Sequence, residues 1–176
     1  MTSSITIRAE RADDIPAIRM VNDVAFGRPN EARLMDDLRE SDAYVSGLSL
    51  VAEADGGPVV GHVLLTYADL VGDDGAVRRR VLSLAPLAVF PDRQGRGIGS
   101  ALAEAGIAAA EALGEPLIVV LGHARYYPRF GFEPASRHGI VSPLPVSDEV
   151  FMVRRLAAYD PELRGQIRYP SAFDSV

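Results

Sequence analysis

The sequence contains no cysteine and, although it has 18 basic residues, no lysine. Without cysteine there is no disulfide bond, no cysteine-ligated zinc and no cysteine nucleophile. Without lysine there is no Schiff base, no Walker-type phosphate clamp and no side chain for self-acetylation. The simplest source of this all-arginine composition is an arginine-favouring genome, so we assign no function to the composition itself.

Long apolar runs and a basic excess are also missing. No apolar run reaches the length of a membrane helix, and the polar start MTSSITIRAE does not resemble a signal peptide. We therefore expect a cytoplasmic protein that binds no membrane. The formal net charge of -6 disfavours a nucleic-acid partner, because such proteins usually carry a basic excess or a basic face.

The hydrophobic pattern predicts a mixed α/β protein that forms one domain over residues 1–176. Predicted strands lie at 4–9, in two runs of a hairpin over 49–71, at 81–89, at 116–122 and at 150–156. Predicted helices begin near Asp13, at Asn30, at Ile98 and at 123, the last of them ending near 130. Residues 72–80 are predicted to form a loop, and the segment 159–176 is expected to pack on the domain or on a partner.

Residues 91–100, PDRQGRGIGS, connect a buried-looking strand to an alanine-rich helix. Free N–H groups at a helix start attract phosphate, and Gly95, Gly97 and Gly99 let the backbone approach an anion. A Walker A loop is excluded because there is no lysine. A dinucleotide fingerprint fits poorly, because Ser100 stands at the third glycine and several strands come first. A plain strand-to-helix turn, in which the glycines relieve crowding, is the alternative.

Two motifs resemble the GNAT acetyltransferase family. The run from Gln94 to Gly99 matches its Gln/Arg-x-x-Gly-x-Gly/Ala loop, and ARYYPRFGFEP (124–134) is similar to its tyrosine helix followed by Gly-Phe. The stretches PLAV, LGHARYYPRFGF and IRYPSAF resemble a bacterial branch of predicted N-acetyltransferases. The resemblance spans most of the chain in order. It implies the GNAT acyl-CoA N-acyltransferase fold, an α/β (α+β) domain whose mixed central sheet has splayed middle strands flanked by helices.

In that family the acyl donor is acetyl-CoA, wedged between the two splayed strands, and no metal is involved. Here the splayed strands would be 81–89 and 116–121, and Pro86 would mark a bulge or a splayed edge. Main-chain groups of 87–89 would hold the pantetheine arm, and amides of 95–100 would hold the pyrophosphate. The cofactor-binding residues so implied are Leu87, Ala88, Val89, Gln94, Gly95, Arg96, Gly97, Ile98, Gly99, Ser100 and Tyr126.

The resemblance implies transfer of an acetyl group to a primary amine, and it places Tyr127 as the acid that protonates the leaving thiolate. Tyr126 is expected about 100° round the helix, in the core or beside the cofactor, and the alternative is that both tyrosines are core residues. Residues 81–85 lack the glutamate that many relatives use as a base. The alternatives to this base are water held by Ser83, the imidazole of His123, or an acceptor amine so weakly basic that it needs no base.

The acceptor pocket is expected between residues 26–31, with Phe26 and Glu31, and the loop 135–149. The acceptor itself, a small-molecule or peptide amine, is left open. A non-catalytic acyl-CoA-binding sensor or interaction module is the rival function, and a nucleotide or dinucleotide binder is a third. We expect a monomer or a homodimer.

Overall fold

A mixed sheet organises the computed structural model, which describes residues 3–176. Residues 1 and 2, which the predicted domain includes, lie outside the described residues. The strands within 3–176 are β1 (Ile5–Ala9), β2 (Ser49–Ala54), β3 (Val59–Val71), β4 (Val77–Val89), β5 (Leu117–Leu121), β6 (Glu133–Pro134), β7 (Ile140–Val141), β8 (Phe151–Arg155) and β9 (Gly165–Arg168). The α-helices are α1 (Ile15–Phe26), α2 (Asn30–Arg39) and α3 (Ile98–Ala112).

The main path of the sheet runs β1-β2-β3-β4-β5-β8-β6, and its neighbours are antiparallel except for β4 and β5, which are parallel. Strand β9 adds to the far end of β3, and β7 pairs with β9. The helices lie on both faces, with α3 over one hydrophobic cluster and α1 and α2 over another. No helix within 3–176 has the length and hydropathy that crossing a bilayer requires.

Strands β4 and β5 separate soon after they meet. They pair only at Leu82 with Ile118 and at Ser83 with Val119. Beyond this point β4 continues to pair with β3, and its register slips so that two residues, Ala85 and Pro86, stand where β3 offers one. This is a β-bulge, and proline suits it because it has no N–H for the ladder. The predicted splayed strands and the bulge at Pro86 are confirmed.

Three predicted elements differ from the structure. The loop 72–80 is shorter than predicted, because β4 already begins at Val77 and its arginines pair with the exposed end of β3. The helix predicted at 123–130 is only a 3-10 turn over Tyr127–Phe130, bounded by Gly131 in a left-handed conformation. The segment 159–176 contains β9, whose pairing with Asp69–Val71 joins residues nearly a hundred positions apart. Such pairing leaves no local sequence pattern.

Candidate active site

A cavity of about 920 Å³ opens beside the point where β4 and β5 separate. Its wall combines the α1–α2 link, the bulged part of β4, the residues after β5, the turn that follows them and the C-terminal segment. The wall includes Phe26, Arg28, Glu31, Leu34, Ser83, Leu84, Ala85, Pro86, Leu87, Leu121, Gly122, His123, Tyr127, Pro143, Leu144, Gln166, Ile167, Arg168, Tyr169, Phe173, Asp174 and Val176. The cavity therefore brings together parts of the chain that are far apart in sequence.

Six of the predicted site residues line this one cavity. They are Phe26, Glu31, Ser83, Leu87, His123 and Tyr127. Of the predicted loop 135–149 only Pro143 and Leu144 reach the wall. Sequence reasoning missed the larger contribution of residues 166–176, which supply seven wall residues. The signal available for it was the set of apolar residues in that segment, Ile167, Tyr169 and Phe173.

Tyr127 lies on the wall of the cavity and is 8% exposed. Its ring packs over the backbone at Gly122, where a β-carbon would overlap the ring. It also packs edge-on against Phe132, with the ring centroids 5.6 Å apart. Burial, together with the neighbouring Tyr126, raises the pKa of Tyr127 to about 12. The hydroxyl is therefore protonated at neutral pH and can donate a proton.

Tyr126 faces a different part of the molecule from Tyr127. The two rings meet edge-on at 5.1 Å, and the Tyr126 hydroxyl approaches Gly99, where a β-carbon would lie 2.8 Å from that oxygen. The Arg129 guanidinium covers the Tyr126 ring at 4.5 Å, and Phe130 packs against it at 5.3 Å. Tyr126 thus contacts the glycine loop (residues 94–100), whereas Tyr127 contacts the cavity.

The glycine loop lies outside the wall of the cavity, beyond the end of β4. Gly95 (φ 73°) and Gly97 (φ 82°) are left-handed, a conformation that other residues adopt only with strain. The Gln94 side chain donates a hydrogen bond to the Val89 carbonyl at 3.0 Å, which ties the loop to β4. Within residues 3–176, the six backbone N–H groups from Gly95 to Ser100 find no backbone acceptor. Such a row of free donors at a helix start suits an anion.

The edge of β4 between the bulge and the glycine loop is open on the side of β5. Because β4 and β5 pair at only two positions, Leu84 to Val89 have no strand partner on that side among the described residues. The side chains of Ala88 and Val89 are buried in the hydrophobic clusters, so only their main chain is offered to a ligand. An extended polar chain can pair with such an edge as an added strand does.

The acidic and basic groups at the cavity are largely satisfied by one another. Glu31 is 7% exposed, and its Oε1 accepts hydrogen bonds from Arg28 Nε and Nη2 at 3.2 and 2.8 Å. Its Oε2 is enclosed by protein and has no donor among residues 3–176. Arg168 donates to Asp69 at 2.8 Å. Burial raises the pKa of Tyr169 to about 12, although the Ser83 hydroxyl beside it opposes this shift.

A second polar cluster is buried where β2 and β3 meet α1 and α2. Ser49 Oγ is 2.9 Å from His62 Nε2 and also donates to Glu10, which Arg39 holds at 2.8 Å. The arrangement is not a Ser-His-acid triad, because the acid lies on the Ser49 side and His62 Nδ1 faces the Asn22 amide instead. None of these side chains lines the cavity. Within 3–176 no group of three or more His, Asp or Glu could hold a metal ion.

Known proteins similar in sequence point to one family. Residues 46–134 match the family model described as an acetyltransferase (GNAT) domain. The uncharacterized N-acetyltransferase YjhQ of Escherichia coli strain K12 is 39% identical over 171 residues, 95% of this chain and 91% of that protein. The uncharacterized N-acetyltransferase YhbS of the same strain is 36% identical over 159 residues, 90% of each chain.

Two solved structures agree with this in fold. E. coli YhbS in complex with CoA has a TM-score of 0.87 and 31% identity, and the match covers 99% of this chain and 94% of that one. A GNAT family acetyltransferase from Brucella melitensis in complex with acetyl-CoA has a TM-score of 0.77 and 34% identity, covering 97% and 99%. The fold implied by the two sequence motifs is thereby confirmed. The chain belongs to the GNAT family of acetyltransferases.

Proposed function

We propose that this chain transfers the acetyl group of acetyl-CoA to a primary amine by direct attack, with Tyr127 as the acid that protonates the leaving thiolate. The observation that carries the proposal is the position of Tyr127. This buried tyrosine lies on the wall of a cavity at the split of the sheet, one residue from a tyrosine that contacts the glycine loop. The solved relatives with CoA and acetyl-CoA support the identity of the donor.

The residues around the split fit acetyl-CoA as the donor substrate. The open edge of β4 suits the amide groups of the pantetheine arm, with Leu87, Ala88 and Val89 contributing main-chain groups. The free amides from Gly95 to Ser100 suit the pyrophosphate. The hydrogen bond from the Gln94 side chain to the Val89 carbonyl fixes the turn that presents them. Arg96 is exposed on this loop and adds positive charge, while Tyr126 packs against the loop from below.

The transfer forms a C–N bond and breaks the C–S bond of the thioester. The attacking amine must lose one proton, and the departing thiolate must gain one. Tyr127 supplies the second proton, since its phenol is protonated at neutral pH and the departing thiolate is the group that gains the proton. The tyrosinate then regains a proton from water. Acetyl-CoA supplies only the activated acyl group.

The first proton leaves toward water at the acceptor side of the cavity. Ser83, His123 and Glu31 line this side, and Phe26 stands at its rim. The stretch from Val81 to Ala85 contains no carboxylate, so these wall residues are the polar groups along the route. We propose in addition that residues 1–176 act as one domain, since β9 is an integral strand of the sheet.

The test is release of free CoA thiol over a panel of primary amines, comparing the wild-type protein with Tyr127→Phe. The variant is expected to lose at least about tenfold in kcat, a typical size for one positioned acid, with acetyl-CoA affinity near that of the wild type. Tyr126→Phe is the matched control, because its hydroxyl contacts the loop and not the cavity. Unchanged turnover in Tyr127→Phe would remove the tyrosine from its role.

A ligand-shift experiment tests the donor separately from turnover. Acetyl-CoA and CoA are expected to raise the melting temperature, whereas ATP and NAD are expected to leave it unchanged. Stabilisation by acetyl-CoA without thiol release over the whole panel would favour a non-catalytic acyl-CoA-binding module. Stabilisation by ATP or NAD alone would contradict the proposal.

A further inference from the structure

The acceptor side of the cavity has a chiefly apolar wall. Phe26 and Leu34 lie on the side of α1 and α2, Leu144 lies on the loop before β8, and Tyr169 and Phe173 come from the C-terminal segment. Tyr169 and Phe173 pack together with their ring centroids 5.2 Å apart. Aromatic and branched side chains that converge on one space provide contacts for an apolar group, and few partners for a polar one.

Both arginines on this wall have partners within the protein. Arg28 is bound to Glu31, and Arg168 is bound to Asp69. The free oxygen of Glu31 is enclosed and does not face solvent. A carboxylate or phosphate on the acceptor would therefore have to compete with Glu31 and Asp69 for the two arginines, and a second ammonium would have to compete with Arg28 for Glu31. Asp174, exposed at the rim, takes part in no ion pair among residues 3–176 and attracts a cationic amine to the opening.

Folding leaves several large apolar side chains of this wall uncovered. Phe26 is 41% exposed, Leu144 is 49% exposed and Leu121 is 40% exposed. Such side chains at a cavity gain free energy when a ligand removes them from water. Phe26 ends α1 and Leu121 ends β5, and both line the cavity whose wall includes Tyr127.

From these three features we infer that the acceptor is a primary monoamine with a compact apolar body, arylalkyl or branched alkyl, an assignment that rests on the proposed function. The single ammonium loses its proton and attacks near Tyr127, and the apolar body lies between Phe26 and the pair formed by Tyr169 and Phe173. The volume of about 920 Å³ falls within the range of small-molecule sites and also has to admit the acyl end of the donor. A compact body satisfies both requirements.

The test compares kcat/KM at saturating acetyl-CoA for a series of primary amines. The apolar members are 2-phenylethylamine and 3-methylbutylamine; the others are 2-aminoethanol, 1,4-diaminobutane and the dipeptide Ala-Ala amide. We expect 2-phenylethylamine to exceed 2-aminoethanol by at least about tenfold, because a buried phenyl group removes a large apolar area from water. An equal or greater kcat/KM for 1,4-diaminobutane or for the dipeptide amide would overturn the assignment.

Phe26→Ala provides the matched variant, because a side chain this exposed can be shortened without opening the core. We expect it to lower the ratio of kcat/KM for 2-phenylethylamine to kcat/KM for 2-aminoethanol several-fold, mainly through a higher KM for 2-phenylethylamine. Leu113→Ala, which shortens an apolar residue that is 54% exposed directly after α3, is expected to leave that ratio unchanged. An equal loss for both amines in Phe26→Ala would show that Phe26 does not contact the apolar body.

Calorimetric binding of the same amines to the CoA-loaded protein separates this inference from the proposed function. If 2-phenylethylamine binds in preference to the other amines but no amine is acetylated, the proposed function fails and the apolar acceptor site stands. If amines are acetylated without any preference for apolar bodies, the proposed function stands and the inference fails. If neither binding nor turnover favours the apolar amines, the inference fails as well.

Discussion

Replacing Gly99 by alanine separates two reasons for a glycine at that position. Gly99 lies in the first turn of α3 with an ordinary backbone conformation, so it is not needed for a left-handed turn. The absence of a side chain at Gly99 then has one of two reasons: it lets an anion approach the backbone amides, or it leaves room for the Tyr126 hydroxyl. A β-carbon would lie 2.8 Å from that hydroxyl, against 3.4–4 Å for an ordinary contact. The two groups would have to move apart by about half an ångström or more.

The Tyr126 ring has little freedom to make this movement. It is packed edge-on against Tyr127 and Phe130 and lies under the Arg129 guanidinium. Overpacking of this kind costs about 1–3 kcal/mol, whereas alanine gains about 1 kcal/mol over glycine in a helix. Gly99→Ala is therefore expected to lower the free energy of unfolding by up to about 2 kcal/mol.

Removing the Tyr126 hydroxyl should reverse that loss. In the Tyr126→Phe background the clash is absent, so the same glycine replacement is expected to be neutral or stabilising by up to about 1 kcal/mol. Urea unfolding of the four proteins of the double-mutant cycle measures the coupling, expected at about 1–3 kcal/mol. A coupling near zero would refute the steric reasoning.

Calorimetry with acetyl-CoA on the same four proteins tests the other reason. If the glycine is required for anion approach, Gly99→Ala weakens acetyl-CoA binding in both backgrounds to the same extent. If it is required only for Tyr126, affinity returns when the hydroxyl is removed. Gly47→Ala, a glycine with ordinary φ and open space around its Cα, is the control and should change neither stability nor affinity.

Two further replacements test the support of the site and of the sheet. Gly122→Ala is expected to displace the Tyr127 ring, and so to lower both kcat and the free energy of unfolding, the latter by about 1–3 kcal/mol; retention of full kcat would contradict this contact. Glu10→Gln is expected to flatten the loss of stability in acid, measured by urea unfolding between pH 3 and pH 7, relative to the exposed control Asp55→Asn.

The sign of the second effect follows from the surroundings of Glu10. Burial alone would raise the pKa of Glu10, but the hydrogen bonds that its carboxylate accepts from Arg39 and Ser49, with His62 close by, hold that pKa well below the usual range of a glutamate. The stabilisation is therefore complete above the unfolded pKa, about 4.3, and is lost as the pH falls toward the lower folded value. A wild-type curve that stays flat below pH 5 would contradict this account.

Features that depend on neighbouring residues could be predicted from the sequence. The strand-to-helix turn at Gly95 and Gly97 and the bulge at Pro86 are local properties of the backbone, and the structure has both. Local patterns also gave the hairpin of β2 and β3 and the position of α3. In each of these cases the residue type itself limits φ or removes a hydrogen-bond donor.

Features that depend on distant contacts could not be predicted in this way. Strand β9 has only four residues, and what makes it a strand is the free edge of β3 at Asp69–Val71. The part of the cavity wall formed by residues 166–176 depends on that pairing, because β9 leads directly to Tyr169 and Phe173. The predicted helix at 123–130 failed for a related reason. Tyr126 contacts α3 at Gly99, whereas Tyr127 packs over Gly122 at the end of β5. A 3-10 turn allows both contacts, and these distant contacts outweigh the local preference for a helix.

The consecutive tyrosines connect the two halves of the proposed site through one short turn. The Tyr126 hydroxyl contacts the first turn of α3 at Gly99, and the Tyr127 ring packs over Gly122 on the wall of the cavity. Because their rings touch at 5.1 Å, a shift of the loop against Tyr126 is transmitted to Tyr127 by direct packing. A perturbation of the glycine loop should therefore change kcat as well as acetyl-CoA affinity. Gly99→Ala is expected to lower both, and Gly99→Ala with Tyr126→Phe to restore kcat.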